Sequence, residues 1–157
     1  MPPLGSRLLR RAVATLALVA VVVGCGSVIQ SAPQPTPADF PGMAGVLSQQ
    51  GIRVDRIVSG DAGCDDIELA RTAIGFDASG LDQATPVRVH AYIFRNRAAY
   101  ERLRSTIDGC AAAFVSDPAT FESIEASPYV IAGQGPWSPA FRDALRAAVM
   151  KAAGTGN

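Results

Sequence analysis

Histidine is nearly absent from this chain, since His90 is the only one in 157 residues. A single histidine excludes any site that needs two, including the zinc-binding His-Glu-x-x-His helix. The chain also lacks the Gly-x-x-x-x-Gly-Lys-Ser/Thr phosphate loop and the Gly-x-Ser-x-Gly nucleophile turn. No catalytic residue, metal ligand or cofactor is therefore predicted, although a Ser-His-Asp triad is not excluded by residue count alone.

Long hydrophobic runs are missing as well, and this excludes a polytopic membrane protein, whose spans need about 18 apolar residues or more. The apolar run Ala12 to Val23 has twelve residues, of which only Thr15 is polar. It follows three arginines and is too short to cross about 30 Å of hydrocarbon. This arrangement is typical of a secretory signal, so residues 1–24 are predicted to be a signal peptide.

The end of this segment reads Val22, Val23, Gly24 and Cys25. It resembles the lipobox of bacterial lipoprotein precursors. The resemblance implies a diacylglyceryl group on Cys25, cleavage before Cys25, and a location on the extracytoplasmic face of the cell membrane. The membrane would then be a partner through the lipid anchor. The alternative is an ordinary cleaved signal in which Cys25 occurs by chance.

Positive charge is also scarce in the predicted mature chain, whose 133 residues include 11 basic and 14 acidic ones, a net charge of −3. This excludes a general basic surface for nucleic acid, so no nucleic-acid partner is predicted. Residues 25–38 contain Pro33, Pro35 and Pro37 among small polar residues. Such segments stay extended, which predicts a tether. Residues 39–157 have the length of a single globular domain.

Two cysteines, Cys64 and Cys110, remain in this domain after Cys25 is assigned to lipid. An even pair in an exported protein predicts a disulfide. A redox or metal pair is the alternative, but there is no Cys-x-x-Cys spacing and His90 is not adjacent to either cysteine.

Hydrophobic periodicity predicts an α+β domain with the element order α-β-β-β-α-β-α. The expected architecture is a two-layer sandwich, with helices packed on one face of a mostly antiparallel sheet of about four strands. In this prediction a long loop joins the second and third strands, and residues 121–132 form a single strand. The segments are 40–50 (helix), 52–58 (strand), 66–70 (a helical turn), 71–77 (strand), 86–94 (strand), 96–114 (helix), 121–132 (strand) and 138–153 (helix, capped by Ser138).

Three residues are candidates for ligand binding: Asp61, Trp137 and His90. Asp61 and Trp137 lie in loops rich in glycine, which commonly carry binding contacts on a rigid scaffold. His90 lies in the clearest strand and is interpreted more readily as a packed residue than as a general base. The acidic residues around Cys64 do not match the EF-hand spacing, so no metal site is predicted.

These features favour a lipid-anchored binding or interaction module of the bacterial cell envelope. Its partner is expected to be an envelope protein, a polysaccharide or a small ligand, whose identity the sequence leaves open. The alternatives are a small envelope hydrolase that uses His90, and an accessory subunit of a transport system. An enzyme is the less favoured class, since the sequence contains no catalytic constellation.

Overall fold

A five-stranded antiparallel sheet organises the chain in the computed structural model, which describes residues 39–154. The strands lie side by side in the order β1-β2-β3-β5-β4. The elements are α1 (Phe40–Gln49), β1 (Ile52–Ser59), α2 (Ile67–Ala70), β2 (Ala73–Gly80), β3 (Gln83–Ile93), α3 (Arg97–Phe114), a 3-10 turn (Pro118–Thr120), β4 (Phe121–Ala126), β5 (Tyr129–Gln134) and α4 (Pro139–Gly154). The predicted α+β class with a mostly antiparallel sheet is confirmed. The predicted element order α-β-β-β-α-β-α is wrong, because the short helix α2 precedes β2 and residues 121–132 form two strands.

Helix α1 begins and ends where its sequence signals predict. The carboxylate of Asp39 accepts a hydrogen bond from the backbone N–H of Gly42 at 2.7 Å, which satisfies one of the free donors at the helix start. Gly51 follows the helix with a φ of +86°, a conformation that favours glycine. The short helix α2 is capped by Asp66, whose Oδ1 accepts from Leu69 N at 2.8 Å.

The prediction of a long loop between the second and third strands is wrong. Strand β2 ends at Gly80 and β3 begins at Gln83, so only Leu81 and Asp82 lie in the turn. Gly80 has a φ of +126°, and a Cβ there would lie 2.2 Å from the carbonyl oxygen of Gly51. Backbone conformation and close packing therefore both require glycine at this position.

The sheet has five strands rather than about four because residues 121–132 form two strands. They fold into the β4–β5 hairpin, with its turn at Ser127 and Pro128. Proline has no N–H to donate to a sheet, so Pro128 is poorly suited to the interior of the single strand predicted over 121–132. The structure places it in the turn, and β5 pairs with β3 on its other side.

Helices cover both faces of the sheet, so the prediction of a two-layer sandwich with helices on one face is wrong. One face packs against α1 and α4 through a core that includes Phe76, Val89 and Ile131. The opposite face packs against α2 and α3 through a second core that includes Tyr92 and Val130. The fold is therefore three layers deep at its centre, and β5 is buried on both faces.

Helix α4 packs on the first core through the apolar residues that its periodicity predicts. Phe141, Leu145 and Ala148 are all fully buried. Its cap differs from the predicted Ser138: the carboxylate of Asp82 accepts from the N–H groups of Ala140 and Phe141, each at 2.9 Å. Asp82, in the turn between β2 and β3, thus caps the first turn of this helix. Within residues 39–154, no helix combines the length and the apolar character that crossing a bilayer requires.

Candidate functional site

The candidate site starts from the loop that joins β1 to α2, because two contacts hold this loop to the rest of the domain and a third orders it internally. Cys64 is disulfide-bonded to Cys110 in α3, with their Cα atoms 5.5 Å apart. The carbonyl oxygen of Ala62 accepts a hydrogen bond of 2.8 Å from the Tyr92 hydroxyl. The N–H of Gly63 donates to Asp61 Oδ1 at 2.9 Å. These contacts fix the Asp61 carboxylate above strands β2 and β3.

His90 lies in β3 directly below this loop and is almost completely enclosed, with 2% of its side chain exposed. Its Nε2 atom lies 3.3 Å from Asp61 Oδ1. Its ring packs against Phe114 with a centroid distance of 4.6 Å. The other ring nitrogen, Nδ1, is buried and has no hydrogen-bond partner within the described residues. This pattern favours a neutral imidazole that carries its proton on Nε2 and donates it to Asp61.

A second acidic residue extends the arrangement along the sheet, and we call the five residues together the Asp61 network: Arg56, Asp61, Asp77, Arg88 and His90. The Arg88 guanidinium bridges the two carboxylates, through Nη2 to Asp61 and through Nη1 to Asp77 at 3.2 Å. Arg56 also pairs with Asp77, whose side chain is only 7% exposed. Burial of a carboxylate is costly unless it is paired, and here two arginines supply the partners.

Two glycines make room for this network. A Cβ on Gly75 would lie 2.3 Å from Asp61 Oδ2 and 2.6 Å from Arg88 Nη2. A Cβ on Gly63 would lie 2.3 Å from the Phe114 ring, and the φ of Gly63 is +75°. The Asp61–Arg88 ion pair therefore lies over Gly75 in β2. The Phe114 ring, which covers His90, lies against Gly63 in the loop.

The electrostatics favour an ionised aspartate beside a neutral histidine. Burial lowers the pKa of His90, and the nearby Arg88 guanidinium lowers it further, although Asp61 opposes both. Burial alone would raise the pKa of Asp61, but hydrogen bonds from Arg88 and Gly63 outweigh it and leave that pKa below its usual value. Burial also raises the pKa of Tyr92, so its hydroxyl remains a donor to Ala62.

This geometry has two of the three parts of a hydrolytic triad, since a carboxylate orients an imidazole. The third part would be a nucleophile on Nδ1, but that atom faces the interior without a hydrogen-bond partner among residues 39–154. Phe114 covers the ring. In this conformation His90 can orient Asp61 and fill the core, while proton transfer to a substrate would require displacement of the Phe114 side chain.

Part of the Asp61 network is open to solvent. Arg56, Asp77 and Arg88 line a shallow groove of about 470 Å³, together with Val58 and Pro86. The charges in this groove are already paired with one another. A ligand would therefore have to displace an internal ion pair in order to bind through them, which lowers the net gain of any new contact.

Trp137, the second predicted contact, belongs to the first core and is 2% exposed. Its indole N–H donates to the carbonyl oxygen of Gln134 at 3.0 Å, and its ring packs against Phe141 at a centroid distance of 6.2 Å. Its backbone N–H donates to Glu122 Oε1 at 2.8 Å. Burial favours a role in capping the core, and a role of Trp137 in binding remains a prediction.

Three acidic residues near Cys64 each have a different interaction partner. Asp66 caps α2, Glu68 pairs with Arg102 of α3, and Asp61 belongs to the network described above. In the described part of the chain, no three His, Cys, Asp or Glu side chains converge as a metal site would require. The predicted signal peptide, the lipidated Cys25 and the tether 25–38 lie outside the described residues.

Sequence reasoning missed the arginine partners of the network. The period of two along β3 does place Arg88 and His90 on one face, and this was the available signal. The pairing of β2 with β3 sets Asp77 opposite Arg88 and Gly75 opposite His90. That register could not be deduced while the joining turn was predicted to be a long loop.

Comparisons of the chain with protein-family models, with curated proteins and with solved structures found no match. The function proposed below therefore rests on residues of this chain alone.

Proposed function

We propose that this chain is a lipid-anchored binding or interaction module on the extracytoplasmic face of a bacterial cell envelope. The single observation that carries the proposal is Val22-Val23-Gly24-Cys25, directly after an apolar run that follows three arginines. The tether 25–38 separates the anchoring residue from the domain. A diacylglyceryl group supplies two acyl chains, which give stable anchoring where one chain binds only reversibly.

The domain itself supports binding more than catalysis. Its only histidine is enclosed beneath Phe114, and its strongest charge cluster is internally paired. The cysteine pair suits an oxidising compartment outside the cytoplasm, because disulfides are rare where thiols are kept reduced. A loop fixed by such a bond is pre-organised, which lowers the entropy that a partner must overcome on binding.

The anchor is tested by expressing the precursor in a bacterial host and measuring the intact mass of the mature protein. We expect a product that begins at Cys25 and carries diacylglyceryl mass, and that is recovered with membranes. The matched variant Cys25→Ser should carry no acyl mass. A product without acyl mass that begins at another residue would remove the basis for the proposed location.

A small envelope hydrolase that uses His90 is the second candidate, favoured by the 3.3 Å contact between His90 Nε2 and Asp61 Oδ1. The two candidates are separated by His90→Gln, which keeps a donor toward Asp61 and removes the titrating ring. A binding module should capture the same envelope partners with this variant as without it. A hydrolytic activity that disappears in the folded variant would favour the enzyme instead. Co-purification of integral transport proteins would favour the accessory-subunit alternative.

A further inference from the structure

A pocket between α2, the end of β3 and the start of α3 combines three arginines with an apolar floor. It has a volume of about 270 Å³. We call it the arginine pocket, after three arginines in its wall. The lining residues are Glu68, Arg71, Thr72, Ile93, Arg95, Ala99, Arg102 and Leu103. It is distinct from the Asp61 network, with which it shares no residue.

Positive charge is concentrated at this pocket, although the chain from Cys25 onward carries a net −3. Within residues 39–154, neither Arg71 nor Arg95 forms an ion pair with a carboxylate. Arg102 pairs with Glu68, and both of these side chains are about 60% exposed. The lining thus contains three cations and one anion, and two of the cations are available to a ligand.

The single carboxylate in the pocket does not prevent an anion from binding. Ion pairs between exposed side chains contribute little to stability and exchange readily with water or other partners. Arg102 can therefore turn from Glu68 to an incoming anion at low cost. Guanidinium groups bind the oxygens of carboxylates and phosphates in pairs, with a geometry that a single ammonium group lacks.

The floor of the pocket is apolar. Leu103 is 7% exposed, and Ile93 and Ala99 are partly buried beside it. A fully hydrated ion such as inorganic phosphate would gain nothing from this floor. A ligand that carries a short apolar chain would cover this floor and gain affinity from the apolar surface that it buries.

We propose that the arginine pocket binds a small amphiphilic anion, with one phosphate or carboxylate group held by Arg71, Arg95 and Arg102 and a short apolar chain on the floor around Leu103. Such a group occurs both on soluble metabolites and on acyl lipids, and the pocket recognises the chemistry that they share. The inference rests on the proposed function, because it gives the binding module a ligand class.

The test uses the chain from residue 25 to 157 with Cys25→Ser, so that no acyl group is added, and titrates it calorimetrically. The probes are hexyl phosphate and hexanoate, compared with inorganic phosphate and 1-hexanol. We expect saturable binding of at least one of the two amphiphilic anions, and binding at least tenfold weaker for inorganic phosphate and for 1-hexanol. Equal binding of inorganic phosphate and hexyl phosphate would overturn the role of the apolar floor. Absence of saturable binding by both amphiphilic anions would overturn the whole inference.

Three variants locate the binding. Arg95→Ala should weaken it about tenfold, since a charge-assisted contact is lost. Glu68→Gln should strengthen it about threefold, because the one competing carboxylate is removed. Arg53→Ala is the matched control, since Arg53 is an exposed arginine on β1, outside this pocket, and it should change the affinity less than twofold. Equal losses in the Arg95 and Arg53 variants would show general charge attraction and defeat the assignment. Unchanged urea midpoints would confirm that each variant is folded.

A vesicle arm distinguishes the sources of the ligand. Phosphatidylglycerol vesicles that displace whichever amphiphilic probe binds would identify a lipid headgroup, and vesicles that leave that probe bound would favour a soluble anion. Vesicle binding without any hexyl phosphate or hexanoate binding would overturn the pocket assignment. The mass measurement at Cys25 is independent of these titrations. Lipidation of the precursor at Cys25, together with a Cys25→Ser protein that fails to bind the probes, would therefore reject this inference and leave the anchor standing.

Discussion

Reduction of the Cys64–Cys110 disulfide should destabilise the domain strongly. The bond closes a segment with a sequence separation of 46 residues. In the chain-entropy model, cross-linking a loop of that length removes about 13 cal/mol/K from the unfolded chain, which corresponds to about 4 kcal/mol at 25 °C. Domains of this size have total stabilities of about 5–15 kcal/mol. Loss of the link should therefore remove a large fraction of the free energy of unfolding.

Reduction of the disulfide should also loosen the structure locally, because the bond holds the loop that carries Asp61. Reduced protein should fray first at this loop, which would loosen the contact between Asp61 and His90. Hydrogen exchange offers a direct readout, since the N–H of Gly63 donates to the Asp61 carboxylate in the folded state. We expect the protection of this amide to fall more on reduction than that of amides in the central strand β3.

The assay compares urea unfolding of the oxidised protein, the reduced protein and the double variant Cys64→Ala/Cys110→Ala. Reduction removes the link with little change in side-chain volume, whereas the variant also leaves space at Cys110, which is 5% exposed. Both should lose stability, and the variant should lose slightly more. Alkylation of the native protein without reduction should label neither thiol. Full labelling of both thiols, or equal urea midpoints for oxidised and reduced protein, would refute the reasoning.

Three further predictions concern the core, the histidine and a helix. Leu145→Ala should cost about 2–5 kcal/mol in urea melts, because Leu145 is fully buried, while the exposed Met150→Ala should cost less than about 0.5 kcal/mol. His90 has a lowered pKa in the folded state, so the unfolded chain binds its proton first, and stability should fall as the pH drops below about 7. That loss of stability cannot exceed about 1.4 kcal/mol per pH unit for one proton. His90→Gln should flatten the decline in stability between pH 7.5 and 5.5, and an unchanged slope in this variant would reject the role of His90. Gly45→Ala should stabilise α1 by about 0.5–1 kcal/mol, since the new methyl meets no heavy atom within 4 Å outside its chain neighbours and the backbone of its own helix; destabilisation would contradict this prediction.

The elements with strong local signals could be predicted from the sequence. Helix α3 begins after Asn96, whose side chain accepts from Ala99 N at 2.9 Å as an N-cap residue should. Helix α4 begins at Pro139, within one residue of the predicted start at 138. The helical turn followed by a strand after Asp66 is also confirmed. Each of these features depends on a few neighbouring residues, which is why periodicity and capping were sufficient.

The features that depend on distant residues could not be predicted. Asp82 was expected in a long loop, yet it caps α4 across 58 residues of sequence. The guanidinium of Arg142 in α4 binds both oxygens of Glu122 in β4, each at 2.7 Å. Such contacts follow from strand register and layer packing. The sequence could not specify either one, because residues 81 and 82 were predicted to belong to a long loop and residues 121–132 to a single strand.

The disulfide and the arginine pocket are connected through the same two helices, which yields a last prediction. Cys64 lies just before α2 and Cys110 in α3, so the bond constrains the two elements whose residues Glu68 and Arg102 face each other across the pocket. A constrained pocket requires less ordering when a ligand binds, and each side chain that must be ordered costs about 0.5–1.5 kcal/mol. Reduction should therefore weaken hexyl phosphate binding about threefold to tenfold under conditions where circular dichroism shows the domain still folded. Arg95→Ala should then have a smaller additional effect in the reduced protein than in the oxidised one. If reduction leaves the affinity unchanged, the pocket is shaped by the cores alone and the disulfide serves stability only.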